Sequence, residues 1–272
     1  VLCRWTDTQI NLNLLAMDIA HDSLTANDAP PTPDQPPLIL REDYTPFAWA
    51  VPETKLAFTL DLTATKVVAT LKVERNPDTK PADSIRLNGD GLTADRVKVD
   101  GEQVTDWTMQ GADLVVPLAG DAHTIEIATT IDPSANTTLM GLYASNGMLC
   151  TQCEAEGFRR ITFFPDRPDV LSTYRVRMEG DKTAFPILLC NGNREATGDL
   201  DKGRHFAEWF DPWPKPSYLF ALVAGDLVAK SGPFTTMSDR EVECNIWVRA
   251  EDLSRTDHAL ASLYHSMKWD EE

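Results

Sequence analysis

The sequence predicts a mainly β, antiparallel fold, on three observations. The stretches "KLAFTLDL" (Lys55 to Leu62) and "KVVATLKVE" (Lys66 to Glu74) alternate apolar and polar residues, as half-buried strands do. "RVKVDGEQV" sets Asp100-Gly101 between two strand-like runs, the dipeptide that accepts the positive φ angles of a tight hairpin. Helical spacing is clear only near the end, where Ala259, Leu260, Leu263, Tyr264 and Met267 share one face.

The elements follow in chain order. "APPTPDQPP", from Ala29 to Pro37, concentrates five prolines. Proline lacks an amide hydrogen and fixes φ, so neither helix nor sheet runs through this linker. Residues 1–40 are therefore expected to be a poorly ordered tail, with the ordered part starting near Arg41. After the first two strands and the hairpin, further strands are expected at "DLVVPL", "TIEIATTI", "RITFF", "TYRVRME", "FPILLC", "HFAEWF", "YLFALVAG" and "VECNIWV". Turn signals such as "NGN" and "EGDK" separate them. The closing helix takes Thr256 or Asp257 as its cap. No internal repeat is present.

The 272 residues suffice for one large or two smaller domains, given domains of roughly 100–200 residues. With 42 acidic against 25 basic residues the net charge is −17, which repels nucleic acid and anionic membranes and excludes both as partners. An acidic balance also serves the solubility of a cytoplasmic protein, so it carries no mechanism by itself. Cys3, Cys150, Cys153, Cys190 and Cys244 make an odd, scattered set, unlike a secreted disulfide scaffold, and point to a reducing compartment. The N-terminal apolar patch is broken by Asn11 and Asn13 and lacks a basic leader, so it does not read as a signal peptide. No window reaches the ~18 consecutive apolar residues of a membrane span. Beginning on Val1 and closing on "WDEE" within a helical pattern, the chain reads as a fragment.

The candidate chemistry centres on "CTQCEAEGFRR", Cys150 to Arg160. A structural zinc needs four ligands, and neither Cys190, Cys244 nor a histidine forms a second close pair with Cys150 and Cys153. A redox pair is opposed by Glu154 and Glu156, whose charges raise thiol pKa values. The five histidines contain no H-E-x-x-H; His258 and His265 lie two helical turns apart, about 10 Å, too far to hold one ion. Nucleophile-elbow, phosphate-loop and dinucleotide motifs are missing as well, so the chain lacks a complete catalytic constellation. In a strand, residues i and i+2 share a face, which would set Gln152 and Glu154 in one cleft with Cys153 packed behind. A carboxylate and an amide oxygen suit a cation such as a protonated α-amine. A solvent-facing acidic turn is the plain alternative.

At these residues the sequence resembles the N-terminal part of the bacterial aminopeptidase N family, zinc metallopeptidases that remove single residues from peptide N-termini. The likeness runs through "GLYASNGMLCTQCEAEGFRRITFFPDRPDVLSTY" and "LLCNGNREATGDLDKGRHFAEWFDPWPKPSYLFALVAGDL" to "SLYHSMKWDEE" and covers the chain from about Arg41 onward. It implies a saddle-like antiparallel β domain over 41–226, followed over 227–272 by the truncated start of a thermolysin-like α/β catalytic domain. It implies that the G-A-M-E-N segment, the H-E-x-x-H zinc helix and the catalytic Tyr lie beyond Glu272. No catalytic or metal-binding residue is then expected in this chain, and zinc belongs to the full-length parent. Residue by residue, the family's Gln and first Glu of "TQCEAEG" carry over to Gln152 and Glu154, which would bind the substrate's free α-amine. Glu156 is read as structural support or a pocket-edge charge. The implied partners are peptides with a free N-terminus and the missing catalytic domain. A non-catalytic β-rich interaction module, and a structural zinc at Cys150 and Cys153, are the competing readings.

Overall fold

The structure, a computed structural model, describes residues 40–272. The tail and Pro-rich linker expected over 1–40 lie outside the described residues, except Leu40. Two units are distinguished, Val1–Thr45 and Pro46–Glu272. The described part of the first is a single 3-10 turn, Arg41–Asp43, closed by the Leu40 N–H donating to Asp43 Oδ2 at 3.2 Å.

The second unit carries all the strands. Its first hairpin is the expected one: β1 (Trp49–Thr59) and β2 (Thr65–Arg75) pair antiparallel, with Leu56 opposite Ala69 and Phe58 opposite Val67. Alternation buries Leu56, Phe58, Val67, Ala69 and Leu71 on one face. At the turn Asp61 Oδ1 accepts from the Thr63 N–H (2.8 Å), the Thr63 hydroxyl (2.8 Å) and the Ala64 N–H (3.0 Å). These bonds, the Thr63 N–H foremost, hold the Asp61 carboxyl below its ordinary pKa.

There follow β3 (Ser84–Leu87), β4 (Ala94–Val99), β5 (Glu102–Gln103), β6 (Thr108–Gln110), β7 (Asp113–Pro117), β8 (Ala122–Ile131), β9 (Gly141–Ser145), β10 (Met148–Gln152), β11 (Ser172–Asp181), β12 (Ile187–Cys190), β13 (Asn193–Asp199), β14 (Arg204–Lys215), β15 (Leu222–Gly225), β16 (Val228–Thr235), β17 (Glu241–Val248) and the helix α1 (Asp257–Glu271). An eight-stranded sheet runs β13-β14-β11-β1-β2-β8-β4-β5; a four-stranded sheet β12-β15-β10-β9, a three-stranded sheet β3-β7-β6 and the β16-β17 hairpin complete it. The β4–β5 hairpin turns where the sequence placed it, with Asp100 at φ 53° and Gly101 at φ 88°.

Four details differ from expectation. One pairing is parallel: β1 and β11 lie side by side, Leu56 opposite Val176. Chain segments so far apart need a long crossover, and no local turn signals it. "RITFF" forms no strand; a 3-10 turn at Phe158–Arg160 leads into it, and only Phe164 makes an isolated bridge, to Asn88. Ile161, Thr162, Phe163 and Phe164 are all fully buried, so the run is hydrophobic on every side rather than alternating. "YLFALVAG" begins as a 3-10 turn, Ser217–Leu219, and becomes strand only from Leu222. At α1 the N-cap is Thr256, but its hydroxyl donates to the Leu253 carbonyl (2.7 Å) instead of accepting a first-turn N–H.

The largest buried side chains form one core between the sheets. Phe158 meets Phe164 edge-on at 5.0 Å and Phe220 at 5.3 Å; Tyr174 and Phe58 extend the cluster onto the large sheet. The terminal hairpin and α1 have a smaller contact, with Phe234 stacked on Tyr264 at 6.0 Å and Cys244 against Met267 at 3.6 Å. No helix among the described residues is long and apolar enough to cross a membrane.

Two outcomes follow from this arrangement. At the parallel junction the fully buried hydroxyls of Thr54 and Ser172 bond at 2.7 Å; Thr54→Val removes this bond while the Ser172 hydroxyl keeps the Thr173 carbonyl at 3.1 Å, and should cost about 0.5–1.5 kcal/mol, read as a lower urea midpoint. Asp61 has its folded pKa below the unfolded one, so its stabilisation is present above about pH 4 and is lost as pH falls through the folded value. Asp61→Asn keeps the Oδ1 acceptor but cannot titrate. Its urea midpoint should therefore fall less steeply than the wild type's on acidification below about pH 4.

Candidate functional site

Gln152 is the last residue of β10, and Glu154 lies just beyond it in a turn that closes when the Gly157 N–H donates to the Cys153 carbonyl at 2.8 Å. Strand alternation thus reaches Gln152 and Cys153 but stops before Glu154. The two polar residues are nevertheless together: Gln152 Nε2 donates to the Glu154 backbone carbonyl at 3.2 Å. Both side chains are exposed, while Cys153 beneath them is 2% exposed. That hydrogen bond uses the amide nitrogen and leaves the Gln152 amide oxygen as an open acceptor. Among the described residues the Glu154 carboxylate has neither a hydrogen-bond nor an ion-pair partner.

The turn is locked from behind. A Cβ on Gly157 would come within 2.2 Å of the Gln152 carbonyl oxygen and 2.9 Å of Cys153 Cα and the Gly141 nitrogen, so only glycine fits this backbone crossing. Phe158 then enters the aromatic core. Arg159 follows, its backbone N–H and Nε both donating to Asp166 Oδ2 (3.1 and 3.0 Å) and its Nη2 to the Asp166 carbonyl (2.9 Å). Its Nη1 meets the exposed Glu156 at 3.2 Å. Arg160 pairs with Asp90 at 2.5 Å. Asp166, its side chain 1% exposed, also accepts from the Ser217 hydroxyl at 2.5 Å.

Gly157, Arg159 and Asp166 were not singled out from the sequence. The signal was there: "FRRITFFPD" embeds two arginines and an aspartate in an apolar run, and a charge carried into a core comes with a partner.

The thiols do not form a site. Burial raises the pKa of Cys150 and, much more strongly, that of Cys153, where the charge of Asp166 adds to it; both shifts oppose thiolate formation. Among the described residues no three His, Cys, Asp or Glu side chains stand close enough to share a metal ion. Around Cys150 and Cys153, the described residues offer no further pair of ligands that would complete a tetrahedral zinc site. A groove of about 300 Å³ crosses the outer face of the large sheet between Lys55, Thr70, Arg175, Arg177, Glu195 and Glu208. Neither Gln152 nor Glu154 lines it. What the turn offers chemically is an amide oxygen and a carboxylate that has no ion-pair partner among the described residues, acceptor groups of the kind that suit a cationic donor.

Residues 51–219 match the Peptidase M1 N-terminal domain. The chain is 50% identical over 241 residues to aminopeptidase N of Caulobacter vibrioides and 44% identical over 238 residues to aminopeptidase N of Escherichia coli. Each alignment covers 88% of this chain but only 28% and 27% of the relative, so the chain corresponds to an N-terminal portion of such proteins. Among crystal structures, aminopeptidase A of Legionella pneumophila in complex with aspartic acid superposes with a TM-score of 0.80 at 30% identity, covering 85% of this chain and 27% of that one. An M1 zinc metallopeptidase of Deinococcus radiodurans bound to a Tyr-Ser-Ala substrate reaches 0.64 at 18% identity over 75% of this chain and 48% of that one, a likeness of fold. The domain match spans more than half of the chain, which therefore belongs to the peptidase M1 N-terminal domain family.

Proposed function

We propose that the chain is the N-terminal part of a zinc-dependent aminopeptidase, and that Gln152 and Glu154 bind the free α-amine of the peptide substrate. The observation that carries this reading is the exposed Glu154 carboxylate, which among the described residues has no cation paired with it although Arg159 and Arg160 follow closely. An ammonium supplies the missing charge and three donors, for which the Glu154 carboxylate and the open Gln152 amide oxygen are the acceptors. An internal peptide amide has no charge to offer, so the same pair discriminates a chain end from the middle of a chain.

Residues 41–226 form the substrate-binding β domain in this reading, and 227–272 begin the catalytic domain. Zinc and the hydrolytic step belong to the rest of the longer protein; this chain alone is inactive in this reading. The relatives whose full length it spans by little more than a quarter are aminopeptidases, and peptide and amino-acid complexes are known among the structures it resembles. Peptides with a free N-terminus and the catalytic domain are its partners. An odd set of five cysteines fits a cytoplasmic, reducing location.

The test is Glu154→Gln in the full-length enzyme, with an aminoacyl anilide as substrate. Losing a charged hydrogen bond is worth about 1.5–3 kcal/mol, so KM should rise by roughly one to two orders of magnitude. Unchanged kinetics would remove Glu154 from the site. Gly157→Ala probes the geometry rather than the charge. The added methyl must displace the Gln152 carbonyl, which should cost about 1–3 kcal/mol of stability and raise KM with Gln152 and Glu154 both still present.

A further inference from the structure

The turn that exposes Glu154 has two guanidinium groups within six residues, and either one closing on that carboxylate would cancel the charge an ammonium needs. Arg159 is the nearer threat, since its Nη1 already reaches back to Glu156 in the same turn at 3.2 Å. It is held from the other side. Asp166 Oδ2 accepts from both the Arg159 backbone N–H and Nε, and the Asp166 carbonyl accepts from Nη2. Asp166 is itself immobile: its side chain is 1% exposed, Oδ1 takes the Ser217 hydroxyl at 2.5 Å, and its N–H donates to Asn88 Oδ1 at 3.2 Å. Arg160 is withdrawn in parallel by Asp90, whose own N–H donates to the Arg159 carbonyl at 2.9 Å.

We propose that Asp166 is a positioning residue for amine recognition: it captures the Arg159 guanidinium and so keeps the Glu154 carboxylate free for a substrate ammonium. The inference rests on the reading that Glu154 binds the amine. It differs from a role in stability alone, because it makes Arg159 harmful to substrate binding once Asp166 no longer holds it. An Arg159 that merely braced the turn would be missed whenever it was removed. Released Arg159 would have several rotatable bonds, a permanent charge and a carboxylate within its own turn to pair with.

Three variants of the full-length enzyme separate these cases, with KM for alanine 4-nitroanilide as the readout, since KM does not depend on the fraction of enzyme that is active. Asp166→Asn should raise KM about tenfold, the scale of a charged hydrogen bond, with a smaller change in kcat. Arg159→Gln should leave KM at or below the wild-type value. The double variant Asp166→Asn/Arg159→Gln, a neutral pair with no guanidinium to release, should bring KM back to within about threefold of wild type, a non-additivity characteristic of directly coupled groups. A wild-type KM in Asp166→Asn, or a double variant no better than Asp166→Asn, overturns the proposal. Should Asp166→Asn give no soluble enzyme, Arg159→Gln decides alone, and a rise in KM beyond about twofold overturns the proposal. Glu154→Gln is run beside them. If it leaves KM unchanged, the amine-binding reading fails and this inference with it; if it raises KM while Asp166→Asn does not, only the inference falls.

Discussion

The burial of Phe158 is the constraint on which the rest of the structure turns. Its ring touches Phe164, Tyr174 and Phe220, which come from the buried segment after the turn, from β11 of the large sheet, and from the approach to β15 of the four-stranded sheet. Burying one such ring is worth about 1.5–3 kcal/mol, and each edge-on aromatic contact adds about 0.5–1.5 kcal/mol. The turn carrying Glu154 is four residues away from that ring. It cannot swing outward without drawing Phe158 from between the sheets, and Gly157 leaves the intervening backbone no room to slip.

Charge placement works with this constraint. The chain is strongly acidic, yet several of its cations are paired within and across strands of the large sheet: Lys55 and Lys72 on Glu53, Arg96 and Lys98 on Glu126, Arg177 between Glu179 and Glu208. Most of these pairs are partly exposed and individually contribute little, on the order of 0–1 kcal/mol. Their consequence is distributional. Positive charge is spent along the sheet and at Asp90 and Asp166, and the turn at Gln152 and Glu154 is left negative. A surplus of carboxylates does not by itself make a cation site; the site proposed at Glu154 rests on one carboxylate whose neighbouring cations, Arg159 and Arg160, are engaged elsewhere.

The sequence made legible what is periodic and local. Alternation located β1, β2, β8 and β11, Asp100-Gly101 located a hairpin, and helical spacing located α1 with Leu260 turned inward. Non-local features were hidden. The parallel seam between β1 and β11 depends on residues more than a hundred positions apart, and in "RITFF" every residue from Ile161 to Phe164 is buried, a context that no window along the chain contains. The candidate pair was found by a partly mistaken step. Strand alternation does not extend to Glu154; a turn brings it beside Gln152 instead, through a side-chain-to-backbone bond. Asp166 was legible only as a charge in an apolar run, and its partner became evident once the fold set Arg159 against it.

Exposure of the pair has a physical consequence for how an amine would be held. Two unit charges about 4 Å apart attract by about 1 kcal/mol in bulk water and by about 4 kcal/mol at the effective dielectric of a partly covered site. On this chain Gln152 and Glu154 face solvent, so an ammonium meeting them there gains about as much as from any surface ion pair, too little to select chain ends. The discrimination expected of an aminopeptidase requires a second surface that covers the turn and excludes water once substrate is bound. On the proposed reading the β domain supplies a charge whose place is set by Phe158 and Gly157, and the covering surface supplies the low dielectric that makes this charge selective. In that reading neither half recognises a free amine well alone, which gives a physical reason for the two surfaces to meet at this turn.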